Sequence, residues 1–223
     1  MNIAPYIEHT FLKQTTTVSD IEKLCKEALE YRFAAVCVPP LYVKKAKEIL
    51  SNSEIKTATV IGFPFGYSAI EAKVAEIVLA IVDGADELDM VANISAIKNA
   101  DWTFIANEIN TVMPIVSNKN KVIKVIIESG ILTDDEIIKC CDIYGAAGVS
   151  YVKTSTGFAE KGASIHDVKL IRAHLADQVK IKASGGIRSY SFAKELINAG
   201  ANRLGCSASV DIVEESSKLK AYT

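Results

Sequence analysis

The chain is predicted to be an α/β protein, a single (β/α)8 (TIM) barrel. Three observations predict it. Short apolar runs alternate with amphipathic helical patterns along all 223 residues, the pattern of a parallel sheet covered by helices. Eight such runs can be counted, enough to close a barrel. No G-x-G-x-x-G follows the first run, as a doubly wound open sheet would favour. The glycine-rich turns come late instead, where a closed barrel often places a phosphate site, after strands 7 and 8. The length fits as well. Such barrels take about 250 residues, and about 200 at the low end, so residues 1–223 are read as one domain without large insertions.

The strands are expected at 7–12, 34–38, 57–62, 87–91, 122–127, 150–154, 180–184 and 203–206. Helical patterns lie between them at 18–31, 41–50, 69–82, 102–116, 134–144, 164–176 and 189–199. Ser19, Thr133 and Ser164 are candidate N-caps, and Thr133 with Glu136 has the spacing of a capping box. A recurring junction supports the repeat. In IVDGADELDMV, IYGAAGVSYVK and INAGANRLGCS, a glycine (Gly84, Gly145, Gly200) stands where a helix should stop, and an apolar run follows. Glycine suits such a stop because it enters the left-handed region without steric cost. YRFAAVCVPP is the same junction without a glycine.

Composition narrows the function classes. The chain is 49% hydrophobic, ample for one core, and carries 25 basic and 27 acidic residues for a formal charge of −2. No run of one sign and no aromatic–basic patch points to nucleic acid. Cysteines 25, 37, 140, 141 and 206 form neither a CxxC pair nor a zinc pattern, so no metal is expected. The opening MNIAPYIEHTFLK carries Glu8 and lacks the apolar core of a signal peptide. No stretch approaches the roughly 18 apolar residues of a membrane span. A cytoplasmic protein is expected.

Strands buried on both faces should read as near-continuous apolar runs. Four of these do not. ELDMV carries Asp89, VIKVIIES carries Lys124 and Glu128, YVKTST carries Lys153, and KIKASGG carries Lys182. The period of two sorts the faces. Glu87, Asp89 and Val91 share one face, as do Lys124, Ile126 and Glu128. Tyr151, Lys153 and Ser155 share another, as do Lys180, Lys182 and Ser184. Leu88 and Met90 take the opposite face and meet helices, so the polar faces should point into the barrel. One such residue could be a satisfied core ion pair. Four strands together would force three lysines to share two carboxylates, an arrangement poor for stability. It is suited to depressing a lysine pKa, and only a neutral amine attacks a carbonyl. Schiff-base chemistry is the expectation.

Several segments resemble one family. VKTSTGF (152–158) is similar to the Schiff-base segment of the deoxyribose-phosphate aldolase family, and IKASGGIR (181–188) to its second-lysine and phosphate-loop segment. ELDMVAN (87–93) resembles its proton-relay strand and IEHTFLK (7–13) its opening. KVIIESG (124–130) and NRLGCSAS (202–209) stand in the expected order. The resemblance implies a reversible retro-aldol cleavage of 2-deoxy-D-ribose 5-phosphate to D-glyceraldehyde 3-phosphate and acetaldehyde, with no cofactor. Lys153 would form the imine with the C1 aldehyde, letting the C3–C4 bond break to an enamine. Lys182 would hold down the Lys153 pKa, and Asp89 would shuttle protons through a water.

The phosphate end needs backbone N–H donors and a cation. Gly157, Gly185, Gly186, Arg188, Gly205 and Ser207 are the candidates, on three turns that each follow a barrel strand. Some positions depart from the family. Glu8 replaces an aspartate expected near the sugar hydroxyls, and Gln14 a common proline. Phe158 replaces a lysine of some members, leaving Arg188 as the cation, and Ala208 stands where a second serine can occur. Tyr222 is a candidate to reach the phosphate from the C-terminus. His9 is read as a structural histidine, His166 and His174 as surface residues, and Cys37 as a small buried hydrophobe. Two alternatives remain at this point: a barrel isomerase or synthase using acid–base chemistry alone, and a non-catalytic sugar-phosphate sensor. The expected partners are the small sugar phosphate and acetaldehyde, with neither nucleic acid nor membrane, and exposed apolar helix faces allow a homodimer.

Overall fold

The computed structural model describes the backbone of residues 1–221 and the side chains of residues 1–218. Tyr222 lies outside the described residues. Eight parallel strands close a barrel in sequence order: β1 (Ile7–Thr10), β2 (Ala35–Val38), β3 (Lys56–Ile61), β4 (Glu87–Val91), β5 (Val122–Ile126), β6 (Tyr151–Lys153), β7 (Lys180–Ser184) and β8 (Arg203–Cys206). The helices are α1 (Val18–Tyr31), α2 (Val43–Ile49), α3 (Ile70–Val82), α4 (Ile94–Lys98), α5 (Trp102–Asn118), α6 (Asp134–Ala147), α7 (Ile165–His174), α8 (Tyr190–Asn198) and α9 (Ser209–Ala221). The single (β/α)8 barrel expected from the alternation is the fold observed.

Local chemistry explains most element ends. Thr133 and Glu136 form the expected capping box on α6, and the Ser164 hydroxyl accepts the Asp167 N–H to cap α7. The cap of α1 is Thr17, not Ser19: its hydroxyl accepts the Asp20 N–H and the Asp20 carboxylate returns to the Thr17 N–H, a box hidden by the TTT run. Gly145 lies inside α6 and does not end it. Gly148, at φ 70°, is the left-handed cap. α4 was not foreseen because five residues show no periodicity, and α9 because its sequence SVDIVEESSKLKA is mostly polar.

The outward faces of the strands supply the main core. Val36, Leu88, Met90, Ile123, Val125, Val152, Ile181 and Leu204 pack under the helices with Ile77, Ile109, Ile137 and Ile171. Each such side chain contributes roughly 1.5–3 kcal/mol relative to exposure. The inward face is different. Small apolar residues (Cys37, Ala58, Val60) fill one side of the barrel, and charged residues fill the other. Register decides which charges meet. Lys153 lies beside Lys182, Lys182 beside Arg203, and Asp89 beside Lys124. Neighbours in a parallel ladder point the same way, so these groups converge.

Candidate active site

The barrel interior holds an ion cluster with one member at its mouth. Asp89 is at the centre. Its Oδ1 accepts from Lys124 at 2.8 Å, and its Oδ2 accepts from both Lys153 at 2.8 Å and Lys182 at 2.5 Å. Lys182 also pairs with Glu8, and Lys124 reaches Glu87 at 2.6 Å and Glu8 at 3.2 Å. Arg203 closes the lower side, 3.6 Å from Glu8 and 3.5 Å from Glu87. Among the described residues, four bases (Lys124, Lys153, Lys182, Arg203) therefore face three carboxylates (Glu8, Glu87, Asp89). Charge balances when one base is neutral.

The surroundings select which one. Burial disfavours the Lys153 ammonium most, Asp89 opposes that, and the Lys182 charge adds to it, so its pKa is lowered. Burial acts on Lys182 and Lys124 too, but two or three carboxylates outweigh it and their pKa values are raised. Burial also works against the Asp89 carboxylate, but its three lysines overcome this and hold it well below the usual range. Glu8 is lowered by Lys124 and Lys182 against the same burial penalty. Gly205 makes the crowding possible. A Cβ there would stand 3.0 Å from Lys182 Cε and 2.9 Å from Ser184 Cβ.

Lys153 is the one lysine of the cluster that lines an open cavity, of about 310 Å³. That cavity is also lined by Gly157, Gly185, Gly186, Arg188, Gly205 and Ser207, so all six sequence candidates for phosphate binding meet there. Gly157, Gly185 and Gly186 have φ of 86°, 87° and 77°, which other residues rarely adopt. The turns after β6 and β7 are bound to each other: Ser184 Oγ donates to the Ser155 carbonyl at 2.5 Å, and Ser184 N–H to Thr154 Oγ1 at 3.1 Å. An anion here would meet backbone donors, the Arg188 guanidinium and the Lys13 amine, which also lines the cavity.

Some placements differ from the sequence reading. Lys180 is exposed at the start of β7, its amine 5.7 Å from the Tyr151 ring centroid, and does not join the interior charges. Glu128 lies past the end of β5 and binds Thr156. The lysines are balanced instead by Glu8 and Glu87. Glu8 is fully buried and does not line the cavity. Glu87 and Arg203 were missed as members of the cluster, although Glu87 shares the face of Asp89. Lys13 was missed because loop residues show no periodicity. His9 donates its Nε2–H to the Glu27 carboxylate at 2.8 Å, a structural pairing. Glu8, Cys37 and Asp89 bring ligand atoms within 4.8 Å of one another. Lysine ammonium groups already occupy the two carboxylates, and burial pushes the Cys37 thiol up to about 12, so this donor set does not suit a metal ion.

Residues 3–213 match the family model described as DeoC/LacD family aldolase. A deoxyribose-phosphate aldolase of Caldanaerobacter subterraneus subsp. tengcongensis is 50% identical over 98% of this chain and 95% of its own. One from Thermococcus gammatolerans is 50% identical over 96% of each chain. The tetrameric deoxyribose phosphate aldolase of Aeropyrum pernix superposes with a TM-score of 0.91 at 31% identity, covering 97% of this chain and 92% of the other.

Proposed function

The chain belongs to the DeoC/LacD family of aldolases, and from that premise we propose that it cleaves 2-deoxy-D-ribose 5-phosphate reversibly, with Lys153 as the nucleophile. One observation carries the assignment. Of the three interior lysines, the one that reaches the cavity is also the one whose ammonium form is destabilised. A neutral amine is what carbonyl attack requires.

The neutral Lys153 amine adds to the C1 aldehyde, and the carbinolamine takes up one proton and loses water to give an iminium. The 3-hydroxyl gives up its proton, and the electron pair of the adjacent carbon–carbon bond flows into the iminium to form an enamine. Acetaldehyde takes C1 and C2, so the bond that breaks is C2–C3. The C3–C4 bond named from the sequence would leave a three-carbon aldehyde. D-Glyceraldehyde 3-phosphate departs, the enamine is protonated at C2, and hydrolysis frees acetaldehyde and the amine. Asp89, held anionic while it accepts from Lys182, takes protons through a water and returns them the same way. The substrate phosphate sits against Gly157, Gly185, Gly186, Gly205, Ser207 and Arg188. The five unpaired cysteines support a cytoplasmic setting, and the exposed Leu79 and Val82 on α3 support self-association.

Incubation with acetaldehyde followed by borohydride tests the assignment. A reduced two-carbon adduct is expected on Lys153, mapped by peptide mass spectrometry. Bound sugar phosphate without any adduct would favour the acid–base isomerase or the sensor instead.

A further inference from the structure

Glu128 is a buried acid that the mechanism above does not use. It follows β5 with φ 53° and ψ 54°, a left-handed backbone that side chains other than glycine's rarely adopt. A residue kept there is fixed by its surroundings. The conformation turns its carboxylate onto the end of β6. Both oxygens accept the Thr156 N–H, at 3.1 and 3.3 Å, and Oε2 also accepts the Thr156 hydroxyl proton. The Thr156 oxygen in turn accepts the Phe158 N–H at 3.0 Å. On either side, Ile127 N–H donates to the Lys153 carbonyl at 3.0 Å and Ser129 N–H to the Thr154 carbonyl at 2.8 Å. The turn at residues 156–158 is thus gripped through backbone and side chain by one carboxylate. Two donors of Thr156 converge on it, and only a carboxylate offers acceptors alone. An amide would aim its NH2 at one of them.

That turn forms one wall of the substrate cavity. Thr156, Gly157 and Phe158 all line it, and a Cβ on Gly157 would lie 3.9 Å from the Gly185 Cα. The grip therefore also sets how the turn after β6 meets the turn after β7. We propose that Glu128 is a positioning residue of the cavity, acting through Thr156 to hold the first phosphate-binding turn. The proposal rests on the reading that this cavity takes the substrate phosphate.

Binding of inorganic phosphate tests it without relying on turnover. Phosphate is titrated calorimetrically into the wild type, Glu128→Gln, Thr156→Val and the double variant. KM for 2-deoxyribose 5-phosphate and the rate of borohydride trapping of acetaldehyde on Lys153 are measured in parallel. Glu128→Gln is expected to weaken phosphate binding and raise KM about tenfold, the loss of one charge-assisted hydrogen bond. Thr156→Val should reproduce this, the double variant should be no worse than either single one, and trapping should change less than phosphate affinity. Thr156→Ser, which keeps the hydroxyl, should restore binding. Wild-type phosphate affinity in Glu128→Gln would overturn the proposal, as would a double variant whose loss is the product of the two single losses. Should Glu128→Gln not fold, Thr156→Val and Thr156→Ser decide: affinity that follows the hydroxyl supports the proposal, and equal affinity refutes it. Failure to trap acetaldehyde in the wild type would strike the aldolase reading alone, since the phosphate titrations still judge Glu128.

Discussion

Replacing Lys182 with methionine removes a charge and shortens the unbranched side chain by only one atom. In the wild type, Lys153 and Lys182 both donate to Asp89 Oδ2, at 2.8 and 2.5 Å. Their nitrogens are then no farther apart than those two bonds laid end to end, roughly 5 Å, where two unit charges repel by roughly 3 kcal/mol at an effective dielectric of about 20. Removing that repulsion favours the Lys153 ammonium, and so does returning Asp89 Oδ2 to Lys153 alone. Both changes raise the pKa of Lys153 and reduce its neutral fraction at any pH below it, by about 100-fold for the repulsion alone. The ascending limb of kcat/KM against pH should move to higher pH, with activity recovering above the new limb. A pH series of initial rates measures this, together with borohydride trapping at each pH. A loss that is the same at every pH would refute the electrostatic role and make Lys182 a chemical participant. An unmoved limb at wild-type rates would remove it from the mechanism.

Three further outcomes follow from the packing. Gly205→Ala sets a Cβ against Ser184 and Lys182 Cε; overpacking of this kind costs about 1–3 kcal/mol, and thermal melting should show it together with reduced trapping on Lys153. Lys73→Met strips the buried partner from Glu108, now 2.6 Å away. Breaking such a pair costs about 3–5 kcal/mol, so a change below about 1 kcal/mol in urea denaturation would show that Glu108 finds another partner. Burial pushes the thiols of Cys37 and Cys206 up to about 12, so native protein at pH 8 should resist iodoacetamide at both, and rapid alkylation would contradict their burial.

Much of the fold and of the site is legible in the sequence. Alternating runs gave eight strands at nearly their observed positions, because a parallel strand buried on both faces must be apolar and the helix between strands must be amphipathic. Lys153, Lys182 and Asp89 were visible as charges that a buried strand tolerates only in company. The glycine turns after β6 and β7 were visible because positive φ restricts the residue type, whereas Gly205 lies within β8 and is kept small by Lys182 and Ser184. What stayed hidden depended on distance through space. Nothing in KIKAS says that Lys180 ends in solvent while Lys182, two residues on, is sealed. That follows from where β7 enters the barrel. Nothing in IEHT says that Glu8 pairs with a lysine 174 positions away, since closure of β1 on β8 creates the contact. Glu128 reads in sequence as one more inward charge of β5, and only its left-handed backbone sends it to Thr156.

The sequence by itself determined the fold and the identity of the amines, because hydrophobic period and residue type are local properties. The tertiary structure alone decided which of these amines has its ammonium form disfavoured. All three interior lysines are similarly buried, and each would be depressed by burial alone. The difference lies in how many carboxylates each one touches, one for Lys153 and two or three for the others. That count is set by barrel register, through Coulomb energies that no linear pattern encodes.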